Sequence, residues 1–192
     1  MKISLKSILY IPLVIPHVVC YMISKNRSVI DADIRRWAKI RIYVDPEKSL
    51  SSLIKLLILQ KDFRTQFYFR IGVIRKLLQL FLSPIHDISF EGCKIGPGFV
   101  LIHGFSCVLN GGAKIGENCT MLHGVTVGTI HGNDFPIIGD DVFIGAGAMI
   151  LGEVKVGNHV RIGAGAIVTK SIPDNCTVVG YKAKIIQRRI KT

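Results

Sequence analysis

From Ile138 onward an aliphatic residue returns at every sixth position: Ile138, Ile144, Ile150, Val156, Ile162 and Val168, with glycine directly after four of them, at 139, 145, 157 and 163. Ile115, Met121 and Val127 keep the same interval upstream, and Ile95 and Leu101 begin it before a two-residue slip. Six is even, so in extended chain every sixth side chain points to the same side, whereas an amphipathic helix needs a period near 3.6. Three such faces close a triangular coil of about eighteen residues, with the aliphatic residue of each hexad stacked inside. Corners between faces need backbone conformations open to small residues, in keeping with the 19 glycines and with Ile-Gly-Ala-Gly-Ala at 144–148 and again at 162–166. The pattern predicts a mainly β protein, a parallel β-helix over residues 85–180. Residues 129–136 interrupt the interval, which resets at Ile138, and so predict a loop projecting from one coil, where function tends to sit on a rigid scaffold.

Before Pro84 the spacing is helical. Ile34, Trp37, Ala38 and Ile42, then Leu53, Leu56 and Leu57, predict helices over about 31–43 and 49–60 separated by Pro46, and a third runs over about 62–82 until Pro84 stops it. Arg64, Arg70, Arg75 and Lys76 on the third read most simply as a solvated face. Residues 26–84 thus form a small α-helical N-terminal domain, and 181–192 a basic C-terminal tail. Ile8 to Ile23 is an apolar run interrupted by Pro12, Pro16 and His17. It falls short of the roughly twenty apolar residues of a spanning helix. Two readings of residues 1–25 stand: a segment lying at the inner face of the membrane, or an arm buried in an oligomer.

Charge sharpens the first of these. The net charge of +12 is concentrated in residues 1–90, where fifteen Lys and Arg face six Asp and Glu. A basic surface suits nucleic acid, an anionic membrane or an acidic small molecule, but no zinc-finger spacing, aromatic RNA-binding pattern or helix-turn-helix supports nucleic acid. The five cysteines are odd in number and widely spaced, which excludes a CxxC redox pair or zinc knuckle and fits a reducing cytoplasm. Asn118-Cys-Thr and Asn175-Cys-Thr match the glycosylation pattern but read as turns.

Lys94 to Lys184 resembles the hexapeptide acyltransferases of the serine acetyltransferase branch, and more closely the related sugar and capsular-polysaccharide O-acetyltransferases. The resemblance rests on Lys94-Ile95-Gly96 followed by His103, Ile115-Gly-Glu-Asn118, Val125-Thr-Val-Gly128, the loop ending at Pro136, the two Ile-Gly-Ala-Gly-Ala runs and Val179-Gly-Tyr-Lys-Ala-Lys184. It implies that the β-helix is left-handed, and that the protein is an acetyl-CoA-dependent acetyltransferase, trimeric, with sites between neighbouring prisms. His103 stands where the family carries its catalytic histidine, and an imidazole of reference pKa about 6.5 suits removal of a hydroxyl proton. His123, on the next coil, would line the acceptor pocket; Asp87, Glu91 or a backbone carbonyl would orient His103. Gly145, Ala146, Gly163 and Ala164 would admit the pantetheine arm, with Lys170, Lys184, Arg188 and Arg189 on the CoA phosphates. A two-histidine metal site, as in the hexapeptide carbonic anhydrases, lacks ligands, and His131 lies on the loop; no metal is expected.

Where the serine enzymes carry Asp before the catalytic histidine and Arg-His before the loop's proline, this chain has Ile102, Asp134 and Phe135. Ile102 and Phe135 can pair neither an ammonium nor a carboxylate. The expectation is therefore a sugar hydroxyl as acceptor, in cell-surface polysaccharide or glycan biosynthesis. Serine O-acetylation in cysteine biosynthesis and a non-catalytic trimeric assembly module are the alternatives.

Overall fold

A computed structural model describes residues 10–42, 44–85, 87–90 and 92–180. Glu91, Lys184, Arg188, Arg189 and the tail 181–192 lie outside the described residues.

The hexads wind as their spacing predicts. The strands are only two or three residues long and lie in three parallel sheets. The first sheet holds β1 (Ile88–Ser89), β4 (Cys107–Leu109), β7 (Thr126–Gly128), β10 (Met149–Leu151) and β13 (Ile167–Val168). The second holds β2 (Lys94–Ile95), β5 (Lys114–Ile115), β8 (Ile137–Ile138) and β11 (Lys155–Val156). The third holds β3 (Val100–Leu101), β6 (Thr120–Met121), β9 (Phe143–Ile144), β12 (Arg161–Ile162) and β14 (Thr177–Val178). Ile138, Ile144 and Ile150 enter the second, third and first sheets in turn, and Val156, Ile162 and Val168 pair directly beside them one coil later. All six are buried, as are Val142, Ala148, Val154, Val160 and Ala166 two residues before five of them. Each such aliphatic side chain contributes roughly 1.5–3 kcal/mol of burial.

At the corner leading from the second sheet to the third, Asn118, Asp141, His159 and Asn175 all take left-handed backbone angles, with φ of 54° to 60°. Side-chain oxygens tie that corner from coil to coil: Asp140 accepts the Glu117 N–H at 2.7 Å, Asn158 the Asp140 N–H at 2.8 Å and Asp174 the Asn158 N–H at 2.8 Å. Asn118 and Asn175 are thus turn residues, as their small polar side chains favour.

The N-terminal helices are α1 (Ile11–Ile23), α2 (Arg27–Ala38), α3 (Ser49–Leu59), α4 (Lys61–Ile71), a 3-10 turn (Gly72–Ile74) and α5 (Arg75–Leu78). The expected first helix begins earlier and ends sooner. The long third helix is broken, because Gly72 takes φ of 74°, which a continuing right-handed helix cannot accommodate. The apolar run folds as α1 with Pro12 in its first turn and Pro16 inside. Its buried face carries Val14, His17 and Tyr21, and His17 Nε2 lies 2.7 Å from the Tyr68 hydroxyl. Burial lowers the His17 pKa to about 4. No helix among the described residues is long and apolar enough to cross a membrane.

The solvated face expected on the third helix is corrected for Arg64 and Arg70, both buried. Arg70 forks onto Asp33, with Nε 2.9 Å from Oδ2 and Nη2 3.3 Å from Oδ1, and also donates to the carbonyls of Ile95 and Gly96. Asp33 Oδ1 accepts the Phe99 N–H at 2.9 Å, and Gln66 donates to the Phe99 carbonyl at 2.7 Å. Arg70 and Gln66 are polar because they meet the polar backbone of the first coil, where the buried Arg70 charge is paired with Asp33.

Candidate functional site

The corner leading from the third sheet to the first carries the chemistry. Successive turns there stack through backbone bonds: the Gly124 N–H donates to Phe105 at 2.9 Å, Gly147 to His123 at 2.8 Å and Gly165 to Ala146 at 2.8 Å. One edge of the prism therefore aligns the turn of His103, the turn of His123, and the runs containing Gly145 and Ala146, then Gly163 and Ala164. Residues spread over some sixty positions of sequence meet because each coil repeats the same corner.

The first of these turns is unlike the rest. His103 and Ser106 both take left-handed backbone angles, φ 50° and 52°, a conformation that persists in non-glycine residues only where the surroundings dictate it. Two carboxylates supply that constraint. Asp62, buried in the first turn of α4, accepts the Gly104 N–H at 2.9 Å, and Asp87 accepts both the N–H and the hydroxyl of Ser106, at 2.9 and 3.0 Å. His103 itself is exposed, and its ring makes no hydrogen bond among the described residues. Asp87 holds the far end of the turn and not the imidazole. Asp62 escaped the sequence reading, since its partner lies 42 residues away; the acidic residue in a helix's first turn was the one available signal.

His123 lies one coil further on, its ring stacked on Phe105 with centroids 4.8 Å apart and planes 13° from parallel. Its Nδ1 is buried without a hydrogen bond among the described residues. A Cβ on Gly145 would come within 2.6 Å of the Ala164 backbone nitrogen, so that glycine is required by the next coil. Gly147 and Gly165, each with φ of 66°, face open space instead. Lys170 follows β13 and sits at the opposite edge of the first sheet, on the side of the 129–136 loop, away from the histidines of its own chain.

The loop closes on itself. Asp134 accepts the N–H groups of Ile130 and His131 at 2.9–3.1 Å, and the Phe135 ring lies over Gly112, where a Cβ would meet it at 2.2 Å. Burial pushes the Cys93 thiol up to about 11 and Cys119 to about 12, so neither offers a thiolate near neutrality. Among the described residues no three His, Cys, Asp or Glu cluster to hold a metal ion.

Residues 135–170 match the family described as bacterial transferase hexapeptide (six repeats). A serine acetyltransferase of Helicobacter pylori (strain J99) is 40% identical over 130 residues, 65% of this chain and 73% of that protein. A serine acetyltransferase of Synechococcus elongatus is 35% identical over 123 residues; the aligned part is 62% of this chain and only 50% of that longer relative. Among solved structures, the serine acetyltransferase of Neisseria gonorrhoeae superposes with a TM-score of 0.64 at 32% identity, covering 86% of this chain and 66% of that one. The Brucella abortus strain S19 enzyme in complex with coenzyme A gives 0.67 at 29% identity, with 91% and 73% covered.

These relatives correct the expectation of a sugar acceptor in polysaccharide or glycan biosynthesis, because they are serine acetyltransferases. That expectation rested on Ile102 and Phe135, which can pair neither an ammonium nor a carboxylate. In space the His103 turn has Asp62 and Asp87 against it.

Proposed function

The chain belongs to the serine acetyltransferase family of hexapeptide-repeat acyltransferases, and on that footing we propose that it transfers the acetyl group of acetyl-CoA to the hydroxyl of L-serine. The observation that carries this reading is the strained His103 turn clamped by two carboxylates on the edge that also holds His123 and the small-residue turns. His103 takes the hydroxyl proton, the oxygen attacks the thioester carbonyl, and collapse of the tetrahedral intermediate releases the thiolate of CoA, which recovers the proton. Asp62 and Asp87 each use one oxygen on the turn's backbone. In this reading their negative charge meets the ammonium of the acceptor, the role that Ile102 cannot fill.

Acetyl-CoA is the donor in this reading, with its arm along Ala146, Gly147, Ala164 and Gly165, the turns that face open space, and the lysine and arginine side chains on its phosphates. A homotrimer completes it. Outward positions of the first sheet line up in register as Val108, Thr126, Met149 and Ile167, and three of the four are exposed apolar residues, 36% to 64% accessible. A second prism docked there would bring its 129–136 loop and Lys170 beside the histidine edge.

Thiol release from acetyl-CoA by the full chain tests the proposal. Release should require L-serine and fall about a hundredfold or more in His103→Ala, with CoA binding retained. Release that ignores serine would overturn the acceptor. Silence, together with no protection against heat by acetyl-CoA, would leave an assembly module, since a ligand of the native state must stabilise it.

A further inference from the structure

The outward face of α1 is apolar from end to end. Ile15, Val19 and Ile23 are 58%, 50% and 74% exposed. A second exposed apolar row follows α4, where Val73, Leu77 and Leu80 are 93%, 58% and 80% accessible. The two rows are neighbours. The Asn26 side chain beyond the end of α1 donates to the Arg70 carbonyl at 2.7 Å, Ile23 and Ile74 line one cleft, and His17 at mid-helix meets Tyr68, whose hydroxyl donates to the Leu82 carbonyl. One surface therefore exposes large aliphatic side chains from two segments, well beyond the scattered apolar residues of ordinary protein surfaces.

The charges around it have a single sign. Residues 10–30 and 71–85 contain no Asp or Glu, while Lys25, Arg27 and Lys76 border the rows. Asp31, the next residue after the first of these stretches, is engaged by the Tyr21 hydroxyl at 2.6 Å. We propose that this face is a docking surface for an anionic phospholipid bilayer, with α1 lying in the interface and Lys25, Arg27 and Lys76 on the headgroups. A two-fold contact with a second copy would set the same cations against each other with no carboxylate between them. A bilayer supplies both an apolar layer and negative charge. Thirteen residues of helix span about 20 Å, too little to cross a hydrocarbon core of about 30 Å, so the helix lies flat. This inference does not depend on the acceptor.

Co-sedimentation of the full chain with phosphatidylcholine vesicles, with and without 30 mol% phosphatidylglycerol (roughly the anionic-leaflet condition), tests it. Binding should require the anionic lipid and be lost at high salt. Ile15→Glu combined with Leu80→Glu should weaken it more than tenfold, and Lys25→Glu with Lys76→Glu comparably, while melting temperature and serine-dependent thiol release stay unchanged in both. Absence of binding to either vesicle at low salt would overturn the proposal. So would an assembly in solution that the Ile15→Glu, Leu80→Glu variant breaks apart, which would make the face a contact between copies.

Discussion

The turn at His103 separates two roles that one carboxylate can play. Asp62→Asn keeps an oxygen for the Gly104 N–H but removes the charge, so it should raise KM for L-serine while leaving the melting temperature and KM for acetyl-CoA in place. Asp62→Ala removes both, leaving a buried donor unpaired at a cost of about 1–3 kcal/mol, and should lower kcat as well; steady-state kinetics beside thermal denaturation distinguish the two. A second residue acts through pH. His17, held to about 4 by burial against Tyr68 and Arg64, is neutral in the folded chain, whereas in the unfolded chain it titrates near 6.5. Between those values the unfolded state binds more protons, so stability falls as pH drops from about 6.5 towards 4, by roughly 3 kcal/mol in all. Urea titrations at successive pH values should show that slope, and His17→Gln should flatten it. None of these roles was legible in the sequence, because Asp62 and Gly104, or His17 and Tyr68, are joined only by the folded chain. His103 and His123 came from the family resemblance of the motifs around them, and the hexad spacing fixes only which corner each one occupies.

At the scale of elements the two halves of the chain were unequally readable. A β-helix coil is a local object: spacing alone places Ile138, Ile144 and Ile150 inside, and stacking adds no new rule. The helices answer to a partner elsewhere, so the burial of Arg70 depended on Asp33 and on the carbonyls of Ile95 and Gly96. Arg70→Ala should destabilise by about 3–5 kcal/mol, because Asp33 stays buried without its cation. Arg70→Ala with Asp33→Ala should then cost less than the two single changes added together, read in a double-mutant cycle by denaturant unfolding. Within the coils, glycines of one repeat separate by position. Gly145→Ala meets the next coil's backbone at 2.6 Å and should disrupt stacking, whereas Gly147→Ala has open space and bears only the left-handed penalty of roughly 1–2 kcal/mol. Melting temperatures of the two variants check the order.

At the scale of the molecule, the exposed row through Met149 and Ile167 tests the proposed homotrimer: Met149→Lys should sediment as single chains in analytical ultracentrifugation where the unaltered protein sediments as trimers, and should lower turnover per chain. Turn N–H groups reach back to the coil before, whereas at the strand ends a coil donates N–H groups to carbonyls of the coil after it, as Gly96 does to Ile115 and Val100 to Cys119. The corresponding carbonyls of the first coil, those of Ile95 and Phe99, have no earlier coil to serve them, and Arg70 and Gln66 donate to them instead. Two helix side chains thus imitate the backbone of a missing repeat. Without them the first coil would present an open β edge of the kind that recruits another chain. The helical block is in this sense an end stop: Arg70→Met with Gln66→Leu would leave a stackable edge, and the protein would be expected to grow into end-to-end polymers detectable by light scattering.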